Sequence, residues 1–481
     1  MEGRKKIMES SPGKLSRRDT MKHMGLIGSA ATLGSWSTWP ANARTTDYRV
    51  AIRQRVEETP LVDTHEHLLE EEARLQGDHP RIRVNDWSLL FAHYLDSDLL
   101  TAGMPRAQLD AFFAKDTDPL KKWEIIEPWW PAVRNTGYGQ AVEIAMRRVY
   151  GVDGLSRGAV RTIQAQYEKT IRPGFYKHLL QNIAHIESCQ VNSLEGPFSE
   201  SRQPTLLMQD ISILGMHMGP NIEGYAAKAG ITVKSLADWH AVIDWWFDRY
   251  GPYAVAVKSQ AAYSRNIDFE DVPAEEAEGP FQRRLTGDPL SPDEKKRLED
   301  HLFWYCARKA TEYNLPVKLH TGYYAGQNGM PLDRVEKNPA AAAALCRRSP
   351  DTRFVFMHIG YPYYEAMISV AKHYTNAHID MCWAWIISPV AGVNFLKQYL
   401  VTAPANKVLT FGGDYIPVEP VTGHAAIARQ GIAQALIQLV DEGWLSTESA
   451  LDLVEPIQRG NARRIFHLEK KTEVLRQAPW L

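Results

Sequence analysis

The chain is poor in cysteine: Cys189, Cys306, Cys346 and Cys382 are the only four in 481 residues, with no CxxC pair and no zinc-finger spacing. That pattern excludes a disulfide framework and suggests no cysteine-built metal site. An excess of one charge is also lacking. Lys+Arg 55 against Asp+Glu 57 leaves a formal net charge of −2, which offers no electrostatic case for a nucleic-acid partner. There is no internal repeat and no low-complexity domain. The weakly apolar stretch from about Met24 to Trp36 is too short and too rich in Gly and Ser to anchor the chain stably in a bilayer. What is present is an ordinary globular composition, 44% hydrophobic and 23% charged. Its length suits an elaborated α/β barrel. The 14 Trp and 20 Tyr are enough to line a polar-aromatic pocket, although core packing is their default role.

The N-terminus reads as an address. Lys14-Leu15-Ser16-Arg17-Arg18-Asp19-Thr20-Met21-Lys22 is a twin-arginine pattern, followed by the weakly apolar stretch and then by Ala41-Asn42-Ala43, a small-residue cleavage signature. Residues 1–43 are therefore expected to be a twin-arginine signal peptide. The mature chain would begin near Arg44 and reside in a bacterial periplasm. Its partners would be the twin-arginine export machinery, which moves folded proteins, and a small-molecule substrate.

From Val62 onward, strand-like apolar runs alternate with amphipathic segments, the pattern of βα units. Eight runs qualify: 60–64, 183–191, 205–214, 254–259, 316–320, 353–358, 378–383 and 407–412. Residues 44–481 are thus expected to form a (β/α)8 TIM barrel. The stretch of about 70–177 holds no clear strand and at least four helical segments, and reads as a helical insertion after strand 1. Residues 266–292, rich in acid, Pro and Gly, read as a long surface loop after strand 4. Either segment is a candidate lid or a contact within a homo-oligomer.

The chemistry-bearing residues fall at the ends of these runs. His65 and His67 close the first run at i, i+2, which places both imidazoles on one face of a strand. Lys258 lies in the fourth run, His320 in the fifth, His358 in the sixth, and Asp414 just beyond the eighth. At the C-terminal mouth of a barrel these side chains can converge on one or two divalent cations, with zinc preferred and manganese or iron as alternatives. The expected chemistry is metal-assisted, with Asp414 touching the metal and taking the proton from an acidified water. His358 is a candidate ligand that could instead hold substrate or orient the water. A free ammonium cannot ligate a cation, so Lys258 is either a carbamate bridging two metals or a charge partner for an acidic substrate. Lys318, one layer below His320, is its rival and would need a buried carboxylate partner.

This order of HxH, Lys, His, His and Asp over strands 1, 4, 5, 6 and 8 resembles the amidohydrolase superfamily of metal-dependent (β/α)8 enzymes, over essentially the whole chain after Asp47. Asp86-Trp87 through Leu99-Leu100-Thr101-Ala102-Gly103-Met104, Arg134-Asn135-Thr136-Gly137-Tyr138-Gly139-Gln140 and Gly460-Asn461-Ala462-Arg463-Arg464-Ile465-Phe466 are similar to segments of its uronate isomerase branch. The departures point away from isomerisation. Tyr323-Tyr324-Ala325-Gly326-Gln327-Asn328 stands where that branch has an Arg-Asn-Asn-type segment, and Tyr415-Ile416 stands in place of its Ser-Arg pair. The resemblance implies a hydrolase acting on a C–N or C–O bond of a small polar, acidic or sugar-like substrate. Its rivals are an isomerase or mononuclear-metal decarboxylase and, in another class, a non-catalytic metal- or ligand-binding barrel. On the substrate side the candidates are Arg265, as an anion anchor, with Tyr263, Tyr323 and Trp383; Tyr324, Trp385, Gln327 and Asn328 lie nearby in sequence.

Overall fold

A computed structural model describes residues 45–77, 79–82, 84–219, 221–326 and 330–481. The expected signal peptide and the pair Gln327 and Asn328 lie outside the described residues. No helix among the described residues is long and apolar enough to cross a membrane.

Eight parallel strand positions follow the eight apolar runs. They are Leu61–Glu66, Ile186–Val191, a third strand in two pieces (Leu207–Gln209 and Ile211–Ser212), Val257–Ser259, Val317–Leu319, Phe354–Phe356, Ala377–Asp380 and Val408–Leu409. Each pairs with the next in parallel register, for example Val257 with Val317 and Phe354 with Ala377. The third strand is interrupted only at Asp210, whose N–H donates to Val191 O at 2.9 Å. Closure comes from the far ends of the first and eighth strands: Thr64 N–H donates to Phe411 O at 3.0 Å, Asp414 N–H to His65 O at 2.8 Å and His67 N–H to Tyr415 O at 3.0 Å. The result is a (β/α)8 barrel, with strands buried on both faces as parallel sheets require.

Local sequence explains the surrounding helices. Ser235 caps Leu236–Tyr250 by accepting from Asp238 N–H, and its buried Leu236, Trp239, Val242, Ile243, Trp246, Phe247 and Tyr250 repeat at helical spacing. Ser291 and Glu294 form a reciprocal capping box that opens Pro292–Glu312. Between the first and second strands every described regular element is a helix, the longest being Gly137–Tyr150 and Arg157–Thr170. Gly137–Tyr150 packs on the last long helix, Glu419–Asp441, at a point where a Cβ on Gly423 would lie 1.9 Å from Ala141 O. Only glycine allows that approach.

The expected loop over 266–292 is in part a helix, Ala274–Thr286. Its Gly279-Pro280 step reads as a breaker, yet Ala277, Pro280 and Phe281 are buried together. Glu275 and Glu276 sit at its N-terminus and Arg283 and Arg284 at its C-terminus, as the helix dipole favours. Tertiary burial outweighs the local turn signal.

Burial also sets the charge state of a histidine behind the end of the fourth strand. His217 Nε2 lies 2.8 Å from Ser259 Oγ, and desolvation, helped by Arg265 and Arg284, lowers its pKa to about 3. An unfolded histidine titrates near 6.5. Between those values the unfolded chain binds the extra proton, so this group's contribution to stability is full above about pH 6.5 and declines as pH falls toward 3. His217→Gln keeps a hydrogen-bonding group without titrating. Wild type is therefore expected to lose stability relative to this variant below pH 6, by up to about 1.4 kcal/mol per pH unit. Urea midpoints at pH 7 and 4.5 measure the difference; parallel loss in both proteins would contradict the assignment.

Candidate metal centre

His65 and His67 leave the first strand with their Nε2 atoms 3.3 Å apart. His67 Nδ1 faces Asn192 O at 2.8 Å, so the ring hydrogen belongs there and the Nε2 lone pair points inward. Asp414 closes the group, with Oδ1 3.2 Å from His65 Nε2 and 3.3 Å from His67 Nε2. A second pair mirrors the first. His358 Nδ1 faces Cys382 O at 2.9 Å, and His320 Nε2 faces Tyr323 O at 2.9 Å. These contacts turn His358 Nε2 and His320 Nδ1 toward each other at 3.0 Å. Asp414 Oδ2 lies 3.9 Å from His358 Nε2.

Lone pairs and a carboxylate facing one another at such distances repel unless a cation or protons lie among them. Protons are disfavoured. Burial holds His65, His67 and His358 well below the ordinary histidine range and takes His320 down to about 3. The donor set is therefore that of a divalent-cation centre of imidazole nitrogen and carboxylate oxygen.

Lys258 joins this cluster, with Nζ 3.3 Å from His65 Nε2 and 2.9 Å from Met357 Sδ. Burial lowers its ammonium to about 8, against the attraction of Asp414. Lys318 is placed differently. Its Nζ donates to both carboxylate oxygens of Asp210, at 3.1 and 2.9 Å, and to Thr64 O at 2.6 Å, in a fully buried layer below the histidines. Asp210 is the carboxylate partner that a buried lysine at this depth requires.

The residues on the substrate side divide. Tyr263 packs its ring 4.5 Å from that of His320 and accepts from Ala325 N–H, while Trp383 stands edge-on to His358 at 5.2 Å and Tyr323 lies 5.9 Å from Trp383. Trp385 is structural, its indole N–H donating to Thr410 O at 2.7 Å. Arg265 is not a free anion anchor. Its guanidinium pairs with Asp300, with Glu299 at 3.1 Å and with Asp268 at 3.7 Å, and lies over the Phe269 ring. These carboxylates neutralise it and tie the loop after the fourth strand to Pro292–Glu312.

Three participants have no strand-end signature. His93 and Tyr94 come from the insertion: the His93 ring lies 6.1 Å from that of His67, and Tyr94 OH donates to Asp414 O at 2.6 Å. Tyr94 also stacks on Trp383 at 4.9 Å. Cys382 is the third. Its sulfur lies with donor atoms of His358 and Asp414 in a group spanning no more than 4.8 Å, a proximity that cysteine spacing in the sequence does not signal. Backbone strain gathers here too, with positive φ at His93 (87°), His358 (58°), Ile359 (51°), Trp383 (63°) and Asp414 (62°). Such conformations cost of order 1–3 kcal/mol each and persist where the surroundings enforce them.

An amidohydrolase family model matches residues 236–468. Uronate isomerase of Corynebacterium efficiens is 20% identical over 464 residues, covering 89% of this chain and 97% of that protein. Protein fluG of Emericella nidulans is 25% identical over 232 residues, 46% of this chain but only 26% of fluG, so the match spans about a quarter of that relative. Among solved structures, glucuronate isomerase from Caulobacter crescentus superposes with a TM-score of 0.70 at 16% identity, covering 90% of this chain and 96% of the other.

Proposed function

We propose that this member of the amidohydrolase superfamily is a metal-dependent hydrolase, cleaving a C–N or C–O bond of a small polar, acidic substrate. The observation that carries the reading is the convergence of His65, His67, His320, His358 and Asp414, with Lys258 among them. Zinc is the preferred ion for this set, with manganese or iron as alternatives. When bound, such an ion acidifies a water and polarises a carbonyl.

The chain's own residues supply the rest. His65, His67, His320 and His358 would hold one or two ions as neutral imidazoles, each of the last three oriented by a backbone carbonyl. Asp414 is the general base. Its carboxylate lies 3.2 Å from His65 Nε2 and 3.3 Å from His67 Nε2, placed to take a proton from water and return it to the leaving group. The hydrogen of His358 lies on the Cys382 side, so that ring cannot donate to a developing oxyanion. Trp383 Nε1–H, buried and without an acceptor, is the neighbouring donor available for that role. Export through residues 1–43 to the periplasm is part of this proposal and is supported by the order of arginine pair, apolar run and Ala41-Asn42-Ala43.

A second reading, isomerisation of a sugar acid, is favoured by the full-length similarity to uronate isomerase. The two separate in one experiment. Zinc-reconstituted protein is assayed against N-acyl amino acids, carboxylated esters and lactones, and in parallel against glucuronate and galacturonate. Release of acid from an amide, ester or lactone, with no ketose formed from the uronates, is the expected result. Uronate conversion without hydrolysis would overturn it.

A further inference from the structure

Beside the donor cluster lies a cavity of about 270 Å³, walled largely by the inserted helices. Ile82, Leu89 and Ile416 give it apolar sides. Arg74, Arg81 and Arg106 line it together with the carboxylate residue Asp96. His93 is the wall it shares with the metal centre, lining the cavity while its ring stands edge-on to His67.

Arg74 is the unusual member. It is 1% exposed, and its Nη2 alone is engaged, with Glu419 at 2.5 Å and with Tyr167 OH at 3.1 Å. Its Nε and Nη1 have no partner. Its charge is met within the fold by Glu419, so the guanidiniums left for a ligand are those of Arg81 and Arg106. Arg81 is exposed, with one N–H on Leu194 O at 2.7 Å, and Arg106 is exposed near the start of Arg106–Phe112. Guanidinium forks match carboxylate geometry, and the apolar sides fit hydrocarbon between that carboxylate and the metal centre.

We infer that this cavity is the subsite for the non-reacting end of the substrate, and that it takes a carboxylate carried on a short apolar chain or ring. It takes over the role that Arg265, tied to its own carboxylates, cannot fill. The assignment rests on the hydrolytic reading only for the name of the bond that breaks at the other end.

The test is calorimetric titration with hexanoate and with its neutral isostere hexanamide, on metal-loaded and metal-stripped protein. Hexanoate is expected to bind about tenfold or more tightly than hexanamide, and to bind metal-stripped protein within about threefold of the loaded form. Arg81→Gln and Arg106→Gln, both at exposed positions that should not disturb folding, are each expected to weaken hexanoate about fivefold. The Arg81→Gln/Arg106→Gln double variant should weaken it further, and both positions are exposed, so the test stays open. Equal affinity for the two probes, unchanged affinity in the Arg81→Gln/Arg106→Gln double variant, or binding that vanishes with the metal would each overturn the assignment. Hexanoate binding of the expected pattern in a protein that hydrolyses nothing would leave the subsite standing and overturn the hydrolytic reading instead.

Discussion

Asp414→Asn is expected to lower kcat by about three orders of magnitude, within the range associated with losing a positioned general base. The substitution keeps the backbone in place and changes only the carboxylate, which is both base and cation donor, so metal content is read beside the rate. Asp414 sits at φ 62°, a left-handed conformation that Asn tolerates nearly as well as Gly. The bonds that hold its backbone, from Tyr94 OH to its carbonyl and from its own N–H to His65 O, do not involve the carboxylate. The amide cannot accept and return a proton at pH 7, and it offers one neutral oxygen where two charged ones stood. Steady-state rates with the best substrate of the hydrolytic panel, alongside thermal melts, make the measurement. A kcat within about tenfold of wild type in a fully folded variant would remove Asp414 from the mechanism.

Metal stoichiometry is the second large effect. Protein purified without chelator is expected to carry close to two equivalents per chain, falling to about one in Lys258→Ala. Lys258 Nζ lies against His65 Nε2 in a fully buried site, and burial brings its ammonium down to about 8, so a reactive neutral amine is accessible near physiological pH. A carbamate on that nitrogen would convert a cation among ligands into an anion shared by two ions. Elemental analysis reads the outcome directly. About one equivalent in both proteins would leave Lys258 as a contact for an anionic substrate and favour single-metal isomerisation or decarboxylation.

Sequence periodicity located the barrel because each strand is a short apolar run ending in polar residues, and burial on both faces makes such runs conspicuous. The same property located the histidines, which sit where apolar runs stop. Arg265 misled because its partners Glu299 and Asp300 lie a helix away in sequence, and no local pattern announces a pairing across that distance. His93 and Arg74 were illegible for a related reason: neither ends an HxH-like motif, and their relevance arises only when the insertion folds over the barrel mouth, whereas Cys382 lies just beyond the seventh strand as a lone cysteine with no ligand pattern around it. The segment 274–286 was hidden by Gly279-Pro280, where tertiary burial of Phe281 and Ala277 outweighs a local signal for a turn.

The hydrogen bond from Tyr94 to the carbonyl of Asp414 has an evolutionary side. It makes the insertion part of the catalytic wall and not an appendage to it, since the residue holding the base's backbone belongs to a different segment from the base. Exchange of this segment between related barrels, as if it were an interchangeable cassette, would carry the specificity pocket along. It would also remove a support from Asp414 unless the incoming segment brought a hydroxyl to the same place. Selectivity and rate are thereby tied to one segment: a change at Tyr94 made to reshape the pocket would also release the backbone of the base.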